Sequence, residues 1–298
     1  MILWYAVLLL AQVEAQQKQE PPPAPTKITL SANDSTRPSS DLDSEGEVAI
    51  THLRLSVDIT HLASQRDILT FGGGIDWLRY DFSDDARFLP GATDLFDDVH
   101  VLRLEGSYMR VFNQRWMGVG YGALFHSFER GASLQNSITF AIGVGVLFRI
   151  DEKLTVGLTL RPQTRIEDSP YLYPVPYIDW KISPRLDLRT EQKAGYGFAL
   201  AYALDEAKEV ALDTRAYYAA RRFRLDSGSI PDEGVIEDER VAWDVGFRFQ
   251  PSPRFSAGLH AGIDLWQRFS VENKQGNNLE TVHTDPVPFL AFSLSYKF

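Results

Sequence analysis

The chain has 298 residues, with 40 acidic against 30 basic side chains for a formal charge of −10, and it is 44% hydrophobic without a single cysteine. The missing cysteine excludes a disulfide framework, a thiolate metal site, a cysteine nucleophile and a cysteine lipid anchor. The acidic balance argues against a nucleic-acid partner, which needs clustered positive charge.

Residues 2–11 are an apolar run too short to span a bilayer as a helix, and Val13-Glu14-Ala15 behind it has the small-x-small form of a secretory signal cleaved after Ala15. Residues 16–47 form a Pro/Ser-rich segment. Its first part, 16–25, reads as an extended solvated tail. Residues 26–32 alternate weakly through Ile28 and Leu30 as a candidate first strand, and 33–47 read as loop. No other window approaches the ~20 consecutive apolar residues of a membrane helix, so any crossing falls to strands.

From residue 48 to Phe298 the chain alternates oily and polar side chains with the period of two that a strand imposes. Leu53, Leu55, Val57 and Ile59 oppose His52, Arg54, Ser56 and Asp58. Phe71, Ile75 and Trp77 then oppose Thr70, Gly72, Gly74 and Asp76, and Leu102, Leu104 and Tyr108 oppose Arg103, Glu105 and Ser107. Over 116–128, Met117, Val119, Tyr121, Ala123 and Phe125 read as the oily face and Gly118, Gly120 and Gly122 as the other. Residues 137–166 set Phe140, Ile142, Val144, Leu158 and Leu160 against Gly143, Gly145 and Gly157. A hairpin over 176–192 sets Trp180 and Leu188 against Asp179, Lys181, Asp187, Arg189 and Glu191. Phe198, Leu200 and Tyr202 oppose Gly197, Ala199, Ala201 and Ala203. Leu212 and Tyr218 oppose Asp213 and Arg215, and Trp243 and Phe247 oppose Asp244 and Arg248. Leu259, Ile263 and Leu265 oppose Ser256, His260, Asp264 and Arg268.

Connections at 113–115, 151–153, 183–185, 205–208 and 251–253 are tight, whereas those at 83–98, 129–136, 167–175, 226–239 and 270–286 are long. Transmembrane barrels have short turns at one end, long loops at the other and an even strand count. The strand at 48–60 must return toward the end that holds Phe298, so 26–32 supplies the strand before it and the count is fourteen, or twelve if 181–204 does not form two strands. Phe112, Phe148, Trp180, Phe249, Phe255 and Phe298 on the oily face near the tight turns, with Phe125, Phe140, Tyr196 and Trp243 near the opposite ends, form two aromatic girdles. A soluble β-sandwich, with the oily face turned inward, is the alternative.

The last strand, residues 288–298, resembles the closing strand of bacterial outer-membrane β-barrels, in which a terminal Phe marks the chain for assembly. That resemblance implies an all-β fold, a single antiparallel up-and-down transmembrane barrel over 48–298, with Tyr296 and Phe298 as the assembly signal. It also implies barrel-assembly machinery, outer-membrane lipid and lipopolysaccharide as partners. The hairpins at 143–158 and 245–259 resemble those of the fourteen-stranded long-chain fatty-acid transporter family. The chain is shorter than that family and has a polar, Pro-rich start where the family has an apolar plug.

On this reading the lumen carries Arg103, Glu105, Asp179, Lys181, Asp187, Arg189, Asp213, Arg215, Asp244, Arg248, His260, Asp264 and Arg268. A wall of small residues, Gly118, Gly120, Gly122, Gly143, Gly145 and Gly157, faces them. The two sets describe either a water-filled lane or a lumen in which glycines permit bending and charges pair across it. Ser256, His260 and Asp264 share a face but stand ~13 Å apart in succession, too far for a hydrolytic triad, so no catalytic residue is assigned. The acidic loop positions Asp84, Asp85, Asp94, Asp97 and Asp98 match no defined calcium loop, and no cofactor is implied. Arg221, Arg222 and Arg224 suit either lipopolysaccharide phosphates or loop salt bridges. The expected function is a pore or passive transporter for small polar or amphipathic solutes. A structural or adhesive barrel with a charge-filled lumen is the rival, and a hydrophobic-compound uptake channel a third reading.

Overall fold

The computed structural model describes residues 26–83, 86–88, 96–134, 136–192, 195–227 and 231–298; the expected signal segment, the proline-rich tail and the loop positions Asp84, Asp85 and Asp94 lie outside them. The strands are β1 (Thr26–Asp41), β2 (Glu47–Leu62), β3 (Asp67–Phe82), β4 (Asp98–Val111), β5 (Trp116–Glu129), β6 (Ile138–Arg149), β7 (Leu154–Arg165) and β8 (Asp168–Lys181). They continue as β9 (Leu186–Glu191), β10 (Tyr196–Ala203), β11 (Val210–Arg224), β12 (Val235–Phe249), β13 (Phe255–Glu272), β14 (Asn278–Thr284) and β15 (Val287–Lys297).

From β1 to β14 each strand pairs antiparallel with the next, and β1 pairs with β15 from Thr29↔Lys297 to Thr36↔Leu290, which closes the ring. Both β14 and β15 lie along β13, the first against Gln267–Glu272 and the second against Phe255–Asp264. They are two halves of one wall position, interrupted at Asp285-Pro286, where the proline has no N–H for a ladder. The wall is a closed antiparallel barrel of fourteen strand positions, β14 and β15 sharing one. Thr26 and Phe298 lie at the same end, with the Phe298 amide donating to the Ile28 carbonyl; this is called the terminal end here, and the opposite one the loop end.

Several strands outlast their oily pattern. β1 runs on to Asp41 through the stretch expected as loop, β8 starts at Asp168, β12 at Val235, and β14 falls within the span 270–286. The ladder needs only backbone donors and acceptors, whereas the apolar alternation is demanded only where a face meets lipid or a dry core.

The outer face is a belt of exposed apolar side chains all round the ring: Leu104 is 64% exposed, Val144 70%, Phe247 58% and Leu290 62%. Polar and charged groups fill the inner face, where Asp76, Asp213, Asp244, His260 and Asp264 are buried. An exposed apolar belt over a polar interior is the pattern of a wall surrounded by lipid.

The face expected for β5 is inverted. Leu104, exposed on β4, is opposite Leu124, also exposed, and Tyr108 is opposite Gly120. Partners directly opposite share a face, so Gly118, Gly120 and Gly122 point outward, and Met117, Val119, Tyr121, Ala123 and Phe125 point inward. Phe125 therefore belongs to no girdle. Arg268 does not face the lumen either. Val241 is opposite Trp266 but Ala242 is opposite Asp264. Leu265 is thus an extra residue, and a one-residue bulge reverses the alternation beyond it. Arg268 lies on the outer side opposite Glu239, while Gln267, Phe269 and Val271 turn inward and are buried.

A dry core fills one side of the loop end. Val48, Ile50, Leu78, Tyr80 and Val99 from β2 to β4 meet Phe223, Ile236, Phe269, Val271 and Val282 from β11 to β14. Phe88 and Phe96, from the β3–β4 connection, fold in among them, with the Phe96 and Tyr80 rings 4.9 Å apart edge to face. Beneath this layer Asp238 accepts from the Tyr80 hydroxyl at 2.9 Å and from Gln267 Nε2 at 2.8 Å, with Arg221 at 3.6 Å.

Candidate functional site: a cavity with a window in the wall

The hairpin of β9 and β10 is half the height of its neighbours. β8 forms a ladder with β9 only over Asp179–Lys181, beyond which the Thr190 hydroxyl accepts from the Ile178 amide at 2.8 Å and lies 3.3 Å from the Pro176 carbonyl, and β10 meets β11 no higher than Tyr218. Above that level, among the described residues, β8 pairs with β7 and β11 with β12, apart from the contact of Arg224 with Phe128 at the top of β5. Two strand edges therefore face each other across a gap, Tyr171–Val175 on one side and Ala219–Phe223 on the other. Pro174 stands on the first edge and Pro176 at its foot, beside Thr190 of β9. Residues two apart direct their N–H groups to the same side of a strand, so both missing donors fall toward the gap while the ladder to β7 runs unbroken from Trp180 to Tyr171.

The gap has a lintel. The tip of the β7–β8 hairpin reaches over it, and the Ile166 carbonyl accepts from Arg222 Nε at 2.7 Å. Arg165 donates to both Glu237 oxygens at 2.7 and 2.8 Å, and Glu167 is paired with Arg224. With Gln192 and Gly195 at the ends of β9 and β10 below, the gap is a framed window.

Behind it lies a cavity of about 630 Å³. Its inner lining includes Arg54, Asp76, Val101, Arg103 and Phe125, its outer lining Tyr218, Glu237, Glu239 and Arg268, and Tyr171, Tyr173 and Tyr196 stand between. Residues of the inner and the outer face of the wall thus line one space. Its charges are mostly neutralised locally: Arg54 bonds Asp76 at 2.9 Å, Arg103 lies 3.5 Å from Glu105, and Arg268 is paired with Glu239, which also takes the Tyr218 hydroxyl.

Of the charged residues expected to line the lumen, Arg103 borders this cavity from inside and Arg268 from outside. The others face inward elsewhere, and several of them are held by opposite charges. Arg215 and His260 both bond Asp244, at 2.8 and 3.0 Å; Arg248 lies 3.5 Å from Asp213; and Asp264 is held by Arg37. Asp179 stands opposite Arg189 and Lys181 opposite Asp187. Ser256, His260 and Asp264 are not brought together, since His260 takes its carboxylate from β12. Arg221, Arg222 and Arg224 are engaged by carboxylates of the protein itself. Gly143, Gly145 and Gly157 do face inward, but they form no open lane. A Cβ on any of them would meet a neighbour's side chain, that of Arg161, Thr159 and Leu147 respectively.

The residues missing from the sequence reading are those of the window: Tyr171, Tyr173, Arg165, Glu237 and the edge of β11. The signal for it was the pair Pro174 and Pro176 inside an alternating run. The face of β5 was also legible, because a three-residue turn at 113–115 sets Phe112 opposite Trp116, and Phe112 is on the oily face.

No protein-family model and no curated protein matches the chain. Solved structures do. The TodX monoaromatic hydrocarbon channel of Pseudomonas putida, as a deltaS2 mutant, is 9% identical over 93% of this chain and 91% of its own, with a TM-score of 0.50. An outer membrane channel from Pseudomonas putida F1 is 13% identical over 94% of this chain and 98% of its own, at a TM-score of 0.49. A Pseudomonas aeruginosa FadL homologue is 11% identical over 91% and 90%, at 0.47. At such identities the likeness concerns architecture alone, and the chain has the fold of an outer-membrane β-barrel.

Proposed function

We propose that this protein is a passive outer-membrane channel for a small amphipathic solute, and that the solute passes between lumen and exterior through the window between β8 and β11 rather than along the barrel axis at the loop end. The observation that carries this reading is the cavity that joins Arg54 and Arg103 inside to Tyr218 and Arg268 outside. Two features support it further. The dry core of Tyr80, Phe88, Phe96 and Phe223 occupies the axial route on its side of the loop end. The cavity combines aromatic rings with paired charges, which suits a solute having an apolar body and a polar end.

The test is permeation of the refolded full chain in planar bilayers and liposomes, compared with Ala220→Trp. Ala220 borders the cavity at the window, is exposed, and can take an indole without disturbing a packed core. Wild-type ohmic steps and solute-driven liposome swelling, both reduced at least severalfold by Ala220→Trp, are the expected result. Equal permeation by the variant would remove the window from the path. Silence from a correctly folded wild type would favour the structural barrel, a reading the paired lumen charges also suit.

A further inference from the structure

Arg161 stands just behind the cavity lining, bonded to Tyr196 and Gln192 of it, and differs from the arginines that line the cavity. Arg54, Arg103, Arg165, Arg221, Arg222 and Arg268 each lie within 4 Å of a carboxylate. Arg161, inward on β7 opposite Tyr173, has none in that range among the described residues. Among the described residues its guanidinium makes two long neutral hydrogen bonds, to the Tyr196 hydroxyl and to Gln192 Oε1, both at 3.3 Å, and its Nε has no partner. It is held instead by rings. The guanidinium carbon sits 4.3 Å from the centre of the Tyr121 ring and 5.8 Å from that of Tyr196. The Tyr196 hydroxyl is in turn 2.6 Å from that of Tyr173, whose ring lies 5.1 Å from Tyr171.

Position and chemistry agree. Gln192, Tyr173 and Tyr196, which surround the guanidinium, line the window cavity. The aliphatic stem of Arg161 lies flat on the wall because Gly143 has no side chain there; a Cβ would come 3.0 Å from Arg161 Cγ. A partly buried cation with no carboxylate within 4 Å among the described residues favours an incoming anion, and the planar fork of a guanidinium matches a carboxylate two-to-two. Aromatic faces on either side favour a flat apolar body behind that carboxylate.

We infer that Arg161, with Tyr121, Tyr173 and Tyr196, forms a binding site for a small aromatic carboxylate at the inner side of the window. The inference rests on the channel reading only in placing that ligand on a transport path; binding at the site stands apart from permeation. In binding, the carboxylate takes the two terminal guanidinium nitrogens, displacing the long contacts to Gln192 and Tyr196, and the ligand ring lies among the tyrosines.

The experiment is equilibrium binding of benzoate to the full chain in detergent micelles, with benzyl alcohol as the uncharged comparison. Wild type should bind benzoate at least tenfold more tightly than benzyl alcohol. Arg161→Gln should weaken benzoate about tenfold or more and leave benzyl alcohol within twofold. Gly143→Val, which keeps the charge but pushes its stem off the wall, should also weaken benzoate. Comparable wild-type affinity for the two probes overturns the inference without any variant, and so does benzoate binding that Arg161→Gln leaves unchanged. Bilayer steps from a protein that binds benzoate no better than benzyl alcohol would sink this site and spare the channel. Arg161-dependent binding with a silent bilayer would do the reverse.

Discussion

Arg224 at the end of β11 stands in a parallel bridge with Phe128 at the end of β5, although β6 to β10 lie between these strands in the wall. This contact pinches the loop end. On one side of it β1 to β4 and β11 to β14 collapse on a dry core; on the other the wall from β5 to β8 stands away from β11 and leaves the window. The Asp226 amide, donating to Glu129 at 2.8 Å, reinforces the pinch.

The dry core is expected to be both a stabilising element and a seal. Phe96, 2% exposed and edge-on to Tyr80 and Phe223, leaves a large void when truncated. Phe96→Ala should cost about 3–5 kcal/mol in urea unfolding followed by tryptophan fluorescence. It should also raise bilayer conductance by opening the loop end. A variant that is destabilised but no more conductive would mean that the core closes nothing.

Asp238 organises the polar layer below. It is 1% exposed and accepts from Tyr80 and Gln267 beside Arg221. Removing its charge leaves a buried guanidinium uncompensated, for which about 3–5 kcal/mol is typical. Tyr80→Phe removes one hydrogen bond, and its cost should be nearer 1 kcal/mol. Unfolding midpoints of Asp238→Asn and Tyr80→Phe, compared side by side, should fall in that order; the reverse order would show that the hydroxyl and not the ion pair holds the layer.

The inverted face of β5 makes a clear contrast between glycines. A Cβ at Gly120 or Gly122 meets nothing within 4 Å, whereas one at Gly143 runs into Arg161 and Thr159. Gly120→Leu should therefore stay within about 0.5 kcal/mol of wild type, as surface changes usually do, and leave conductance alone. Gly143→Leu should be destabilised by overpacking, by about 1–3 kcal/mol. A conductance change in Gly120→Leu would return that residue to the lumen.

The turn between β10 and β11 should respond to acid. Asp205 accepts the amide hydrogens of Val210 at 2.8 Å and Glu209 at 3.1 Å, and the Val210 bond above all holds its carboxyl below the ordinary aspartate value. A carboxyl depressed in the folded state contributes stability that is present above the unfolded value and is lost as pH falls through the folded one. The Val210 amide resonance should accordingly titrate with a midpoint below that of a free aspartate, and in Asp205→Asn it should not titrate. A midpoint at the ordinary value would show that the turn does not depend on these bonds.

The sequence by itself determined the barrel. Strand alternation, tight turns at one end, the even count and the outward face of most strands are local properties, because a period of two and the demand of lipid act on each strand separately. Even the orientation of β5 was within reach, through the three-residue turn that sets Phe112 opposite Trp116. What only the tertiary structure decided lies between residues far apart in the chain. Arg37 meets Asp264 across 227 positions, and Tyr80 meets Asp238 across 158. Nothing in the neighbourhood of either residue specifies its partner, so whether inward charges line water or neutralise one another is not written in any one strand. The same holds for Arg161: its lack of an acid partner is a property of the whole wall around it. The bulge at Leu265, which sends Arg268 outside, is likewise fixed by where β12 finds its register, since an extra residue is tolerated only where the partner strand and the packing on both faces accept it.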